Sequence, residues 1–568
     1  MASFIFALPI PVKMNKLFFL LLLFAPHLIY AQNYFGKADS CLKLKDYTCA
    51  ATNYDLALVH IDSTSNGIAL RSAISWSLAQ NKDKAFAAIR IYIRNNALNN
   101  YPFFSNEMEK EKGFDFLKSD PRWSQIISEV KKSEAAIRLK EKKKVDSAMS
   151  IQVALEKHNM VDRFKGFKTG DAKTLYKQIK NYNNFPVISA PYLSLQFRIT
   201  DSLKMAFLVV LPKNYDAKRS YPVLFFLHGA VFYNTGYMEI SDPRDTQGWN
   251  RYYTKYAGDV IMIYPHANKD YNWMYPDKGF YMVPAILRQV KQIVNVDDNK
   301  VFISGHSNGA TGSFSYLMKQ QSPFAGFYGF NTRPRVETGG TYIRNISNRS
   351  YFNVSTDQDY YYPPGANNTL DAVMKSIRAD YQDHRYNGFP HWFPQFDESE
   401  PVYKLLFTDL SKRQRNPFHT KIYWECDGVK YGACDWLQIT ALDTTVQRAK
   451  WHKDINFGIH KWLMLDDKSK VHERDTLVKA FRFRRKSGAV KASYTNNTFI
   501  VETSDVRSFS LLISPEMVDM TKPVSIIVNG QLYRKEKFEY DKDFILTGFE
   551  NTADRKAVWV NHMDVTLP

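Results

Sequence analysis

Cysteine is scarce in this chain, four among 568 residues. The four fall as two close pairs, Cys41 with Cys49 and Cys426 with Cys434, and neither pair has the short CxxC interval or the neighbouring histidines of a tetrahedral zinc site. In an oxidising compartment each pair is expected to close a local disulfide, though neither can be the main support of so long a chain. Long apolar runs are missing as well. The stretch Leu17 to Ala25 is too short to span a bilayer as a stable anchor. Nor is charge gathered in one place. Lysine and arginine outnumber the acidic residues, 76 to 57, for a formal charge of +19, yet the basic residues are spread along the chain with no recognisable nucleic-acid reading motif. A solvated basic surface is expected, nucleic acid is not an expected partner, and attraction to acidic glycans or an anionic envelope stays open. With 45% hydrophobic residues, the composition is that of a globular protein rather than a disordered or membrane-embedded one.

What is present begins with a leader pattern. Met14, Asn15 and Lys16 precede the apolar run, and small Ala31 lies six residues beyond it, which reads as a secretory signal peptide over 1–31 cut near Ala31. The expected location is therefore periplasmic or secreted. The remainder exceeds what one core organises, so several domains are expected. From 33 to 130 the pattern is helical. "LKDYTCAATNYDLAL" and "WSLAQNKDKAFAAIRIYI" place Ala50 and Ala85, or Tyr54 and Ile89, at about the 34-residue period of helical-hairpin repeats, and the region resembles a short tetratricopeptide-like array. Such a module suits either a protein partner or packing on its own chain. Residues 131–185 read as a helical linker opened by the charged "KKSEAAIRLKEKKK".

Periodicity then changes from helical to alternating. "LSLQFRITDSLKMAFLVVLP" gives two strands about a turn at Asp201 and Ser202. "YPVLFFLHG", "DVIMIYP" and "KVFISG" are short, nearly continuous apolar runs separated by helical stretches, the signature of a mostly parallel sheet covered on both faces. This α/β segment is taken as 186–417. Past Pro417 come strands with turn signals, among them the hairpin pair Asn529 and Gly530, and 418–568 reads as a β-rich, sandwich-like domain.

The stretch "KVFISGHSNGATG" carries the chemistry. A buried strand ends at Ser304, Gly305 to Gly309 satisfy GxSxG, and helix-like "ATGSFSYLMKQ" follows, the context of a nucleophile elbow with Ser307 at its tip and glycines where side chains would collide with strand and helix. A serine hydroxyl needs a histidine to take its proton and a carboxylate to hold that histidine's tautomer. Beyond the strand in "SYFNVSTDQDYYYPPG" stand Asp357 and Asp359; Asp359, heading a D-x-x-x-P turn, is the expected acid and Asp357 the reserve. His391, in the loop "NGFPHWFPQF", is the expected base. His384 is read at the charged end of a helix, and His306 and His228 as structural. The oxyanion needs two backbone amides, expected from Asn308 and from Ala230, in the loop after "VLFFLHGAV".

Taken in order, "YPVLFFLHG", "VFISGHSNGATG", "STDQDYYYP" and "GFPHWFP" resemble the α/β-hydrolase superfamily, and within it exported esterases similar to feruloyl and acetylxylan esterases and polyhydroxyalkanoate depolymerases. The resemblance covers about Leu193 to Pro417. It implies an α/β-hydrolase fold flanked by an all-α repeat domain and a β-rich domain, acyl transfer through an acyl-enzyme, and no metal or organic cofactor. Ala310 departs from the glycine many relatives carry. The spacing from Ser307 to Asp359 leaves no room for a large lid, so an open pocket is expected. Such a pocket suits bulky or polymeric esters, polysaccharide-linked ones among them. Its walls are sought in "VFYNTGYMEISDPRDTQGWNRYY" and "YNWMYPDKGFY". Two other readings stay open: a serine peptidase of prolyl oligopeptidase type, and an inert scaffold.

Overall fold

A computed structural model describes residues 34–98, 104–166, 170–200, 203–232, 238–243, 247–465 and 470–568. The expected leader lies outside the described residues, among which no helix is long and apolar enough to cross a membrane. The chain forms two compact units, Met1–Asp146 and Ser147–Pro568.

In the first unit, helices Tyr47–His60, Asn66–Leu78 and Lys82–Leu98 follow one another. Asp46 and Ser65 cap the first two by accepting the amides of Cys49 and Ile68. The small residues Ala50, Ala57, Ala69, Ala73 and Ala85 are fully buried beside Tyr54 and Ile89, so helix backbones come close enough to share one core. Asp55 ties the first helix to the second by accepting from Ser72 and from the indole of Trp76. Cys41 and Cys49 are disulfide-bonded. The charged run from Lys131 lies within one long helix, Pro121–Glu156.

The second unit is built on an eight-stranded sheet. Its strands are β1 (Tyr192–Arg198), β2 (Lys204–Val210), β3 (Tyr221–Leu227), β4 (Ile261–Tyr264), β5 (Val296–Gly305), β6 (Gly326–Phe330), β7 (Ser350–Gln358) and β8 (Tyr381–Pro390), ordered β1-β2-β4-β3-β5-β6-β7-β8. Pairings of β2 with β1 and β4 are antiparallel and the rest parallel. The apolar run of β3 is continuous because both of its faces are covered: Val223, Phe225 and Leu227 enter one core, Leu224 and Phe226 the other. One expectation fails here. The sequence places His384 at the charged end of a helix, but the helix closes at Ser376, and His384 lies on β8 with its ring stacked on Phe352 at 4.2 Å.

Beyond the sheet, β9 (Lys421–Cys426), β10 (Ala433–Cys434) and β11 (Leu437–Leu442) lead into an arm of short hairpins. In the arm, β12 (Gly458–Ile459) pairs with β15 (Val478–Lys479), and β13 (Trp462–Leu465) with β14 (Val471–Arg474). The chain returns through β16 (Gly488–Thr495), β17 (Thr498–Ser504), β18 (Val506–Ile513), β19 (Val524–Val528), β20 (Gln531–Glu536) and β21 (Asn561–Thr566). Sheets β20-β19-β17-β16-β9 and β10-β11-β18-β21 enclose a shared core around Trp424, Trp436, Phe499 and Phe509. Asn529 and Gly530, both with positive φ, turn β19 into β20.

Three groups of buried ion pairs join these sheets to the α/β layer. Lys319 meets Asp427 at 2.6 Å, Arg349 meets Asp435 at 2.7 Å, and Asp554 accepts from Lys291 and Arg415 at 3.2 and 2.9 Å. The second expected disulfide is absent: Cys426 and Cys434 are buried free thiols. Their strands belong to opposite sheets, and burial pushes the Cys426 thiol up to about 12.

Candidate active site

The site is assembled at the C-terminal ends of β3, β5, β6, β7 and β8. The chain leaves β5 at Gly305 and enters helix Asn308–Lys319, and Ser307 between them is held at φ 57°, ψ −121°, a conformation that L residues rarely adopt. The turn is tight because Gly309 lies against β3. A Cβ on Gly309 would come within 1.8 Å of the Leu227 carbonyl oxygen, and one on Gly305 within 2.4 Å of the Gly309 carbonyl carbon. The Ser307 amide donates to Phe330 O at 3.0 Å, fixing the elbow to the end of β6.

His391 follows β8 and is buried. Its Nδ1 lies 3.0 Å from Asp359 Oδ2, while its Nε2 is buried with no hydrogen-bond partner among the described residues. Asp359 is anchored on two sides: Oδ1 accepts the Tyr361 amide at 2.8 Å, and Oδ2 also accepts from Asn331 Nδ2 at 3.0 Å. With a carboxylate on Nδ1, that nitrogen carries the proton of a neutral ring and Nε2 is left to accept. Asp357 takes no part in this pair; its Oδ1 accepts the Gly388 amide and fastens the end of β8.

Two further histidines hold the surrounding backbone. His306 Nε2 lies 2.9 Å from the carbonyl oxygen of His391, an atom that only accepts, so Nε2 carries the proton. Burial, reinforced by His391 beside it, pushes the His306 imidazole down to about 3. His228 Nε2 accepts the Ala267 amide at 3.0 Å, leaving Nδ1–H to donate to Gly229 O at 2.7 Å. Burial pushes this ring down to about 4. In a planar trans peptide the carbonyl and the following N–H point opposite ways. With Gly229 O turned to His228, the Ala230 amide is therefore turned away from it. A Cβ on Gly229 would lie 3.1 Å from Ser307 Cβ, so this loop rides directly on the turn that holds Ser307. Ala230 has φ 54°, and the Val231 amide donates to Asn308 Oδ1 at 3.3 Å, closing the loop onto the elbow. Asn308 opens its helix, so its amide is among those with no partner inside the helix.

Aromatic rings frame the pair. Tyr361 lies 4.3 Å and Trp392 5.1 Å from the His391 ring, and both are well exposed. Of the expected wall segments, Phe232 packs on Tyr275 at 5.8 Å. The sequence reading missed Asn331, whose φ of 54° aims it at Asp359 and Thr356. It also missed the arm, whose Ile459, Ala480 and Phe481 pack into the core of the α/β layer. An asparagine just beyond an apolar strand was the only sequence signal for the first, and the short arm strands gave none.

No family model matches the chain. Among solved structures the chain is similar to a thermostable esterase, at 20% identity, with 40% of this chain and 64% of that one covered and a TM-score of 0.33. It is also similar to a ferulic acid esterase, at 16% identity over 39% of this chain and 98% of that one, TM-score 0.31. A third likeness is to fluorophosphonate-binding serine hydrolase F of Staphylococcus aureus, at 16% identity over 39% and 97%, TM-score 0.30. The chain spans less than two thirds of the first of these. These are partial likenesses of shape, and the site is defined by its own geometry.

Proposed function

We propose that the protein is an exported serine hydrolase that cleaves carboxylic esters through an acyl-enzyme. The observation that carries this reading is the buried Asp359–His391 pair, with Nε2 left unpartnered, tied through His306 to the strained strand-to-helix turn that holds Ser307. In the proposed reaction Ser307 Oγ attacks the ester carbonyl and gives its proton to His391 Nε2. The amides of Asn308 and Ala230 receive the negative oxygen. His391 then returns the proton to the departing alcohol, and water repeats the sequence on the acyl-enzyme. Asp359 stabilises the imidazolium without taking the proton. The Cys41–Cys49 disulfide supports export. We assign catalysis to 186–417 and leave the helical region as a module for a protein partner.

The test is covalent labelling with a fluorophosphonate, alongside chromogenic esters and dipeptide amides. Labelling at Ser307, ester turnover exceeding amide turnover, and a loss on the order of a million-fold in S307A are expected. Amide turnover above ester turnover moves the reading to a peptidase. Folded protein that does not label, or a loss below tenfold in S307A, overturns it.

A further inference from the structure

Two residues beyond Asn331 stands Arg333, an arginine that forms no ion pair among the described residues. The Arg333 amide donates at 3.2 Å to Oγ1 of Thr311, which lies one turn into the elbow helix and donates its own amide to Ser307 O. The Arg333 guanidinium is partly buried and forms no ion pair among the described residues, packing instead 5.4 Å from the centre of the Trp462 ring on the arm. Trp462 in turn meets the edge of Tyr362, three residues past Asp359, with ring centres 6.4 Å apart. The indole Nε1 of Trp462 and the hydroxyl of Tyr362 are buried, and neither has a hydrogen-bond partner among the described residues.

Arg333, Trp462 and Tyr362 thus form one chain of contacts, each bringing an unpaired donor group, and the carboxylates nearby are already engaged. Glu337 is held by two bonds from Arg335, at 2.8 and 2.6 Å. Asp383, on the Tyr362 side, is held by Arg385, Asn353 and Ser355. Arg482, exposed on the arm and also without an ion pair among the described residues, adds further positive field. Burial first, then Arg335, push the Arg333 guanidinium below its ordinary value against the opposing pull of Glu337, and Arg482 adds to the lowering. Unpaired donors around a partly desolvated cation call for an acceptor-rich anion.

We propose that Arg333, Trp462 and Tyr362 form a subsite for a carboxylate carried by the substrate, so that the preferred esters are acidic ones. The carboxylate sits either on the acyl group, as in a dicarboxylic half-ester, or on the alcohol, as in an acylated uronic acid. The inference deepens the ester-hydrolase reading and rests on it. It also gives the C-terminal arm a part in substrate selection.

Two pairs of substrates test it on the full chain. 4-Nitrophenyl hemisuccinate against 4-nitrophenyl butanoate probes the acyl side, and acetylated glucuronate against acetylated glucose probes the alcohol side. In one pair, kcat/KM of the native protein is expected to favour the acidic ester at least tenfold. R333Q should cut that ratio at least tenfold, R333K should restore part of it, and W462F, which keeps the ring but loses the N–H, should lower it severalfold. No preference in either pair, or a preference that survives R333Q, overturns the subsite. So does a loss shared equally by both members of a pair. Fluorophosphonate labelling separates the two claims: a labelled Ser307 with no acidic preference sinks the subsite and spares the hydrolase. If Ser307 does not label and no ester turns over, the hydrolase reading falls. Calorimetric titration with succinate and with glucuronate then decides the subsite, heat that R333Q abolishes supporting it and no heat overturning it.

Discussion

Lowering the pH should load protons onto two histidines only when the protein unfolds. The native imidazoles of His306 and His228 are pushed by burial from an ordinary 6.5 to about 3 and about 4. Both are depressed, so the unfolded chain binds more protons than the native one between 6.5 and those lower values. Stability is therefore fully present above about pH 6.5 and is lost as the pH falls through this window. Each ring approaches a slope of about 1.4 kcal/mol per pH unit below pH 6, or about 1.6 kcal/mol per histidine between pH 6.5 and 5 and about 3 kcal/mol for the two together. Carboxylates add their own dependence, so the measurement is differential. Proton uptake on unfolding in weakly buffered urea at pH 5 is compared between the native protein, H306Q and H228N. Glutamine keeps a donor toward the His391 carbonyl and asparagine one toward Gly229, while neither titrates. Each variant should take up about one proton fewer and show a correspondingly shallower fall of stability with pH. Uptake equal to the native value in both variants would refute the tautomers and burial on which the loops carrying Ala230 and His391 are argued to depend.

Gly309→Ala should prevent accumulation of folded protein, because its Cβ would fall 1.8 Å from a backbone oxygen of β3 that no side-chain movement can relieve; soluble G309A with native circular dichroism would contradict the elbow geometry. Asp427→Ala strands the buried Lys319 ammonium and removes the acceptor of the Gly340 amide, and should destabilise by about 3–5 kcal/mol in chemical denaturation. The double variant K319M/D427L removes the stranded ammonium but leaves the Gly340 amide without its acceptor, and should recover part of that loss.

The parallel sheet was legible because β3, β4 and the second half of β5, from Val301, are apolar on both faces, and no amphipathic helix matches such short runs. β8 was not. Gln382, Asp383, His384 and Arg385 read as the polar end of a helix, yet Asp383 is met by Asn353 and Ser355 across the sheet and by Arg385 on its own strand. A polar residue satisfied by a neighbouring strand cannot be recognised from its own strand alone. Asp359 could be preferred to Asp357 because a turn signal followed it, and the two do face different partners, His391 and the Gly388 amide. Asn331 had no such signal, since its part arises only where the ends of β6 and β7 lie side by side. The cysteine pairs show the same limit. Sequence spacing is identical for both, but Cys41 and Cys49 lie within one helical region, whereas Cys426 and Cys434 are carried onto opposite sheets.

The buried ion pairs between the α/β layer and the β sheets bear on how this protein can be cut or recombined. A fragment ending at residue 417 would keep Lys319, Arg349 and Arg415 but lose Asp427, Asp435 and Asp554, the acids paired with them; Lys291 would lose Asp554 and keep only Asp298, at 2.8 Å. The two layers are covalently one chain and electrostatically one body, so neither is a cassette to be transplanted without its counterpart.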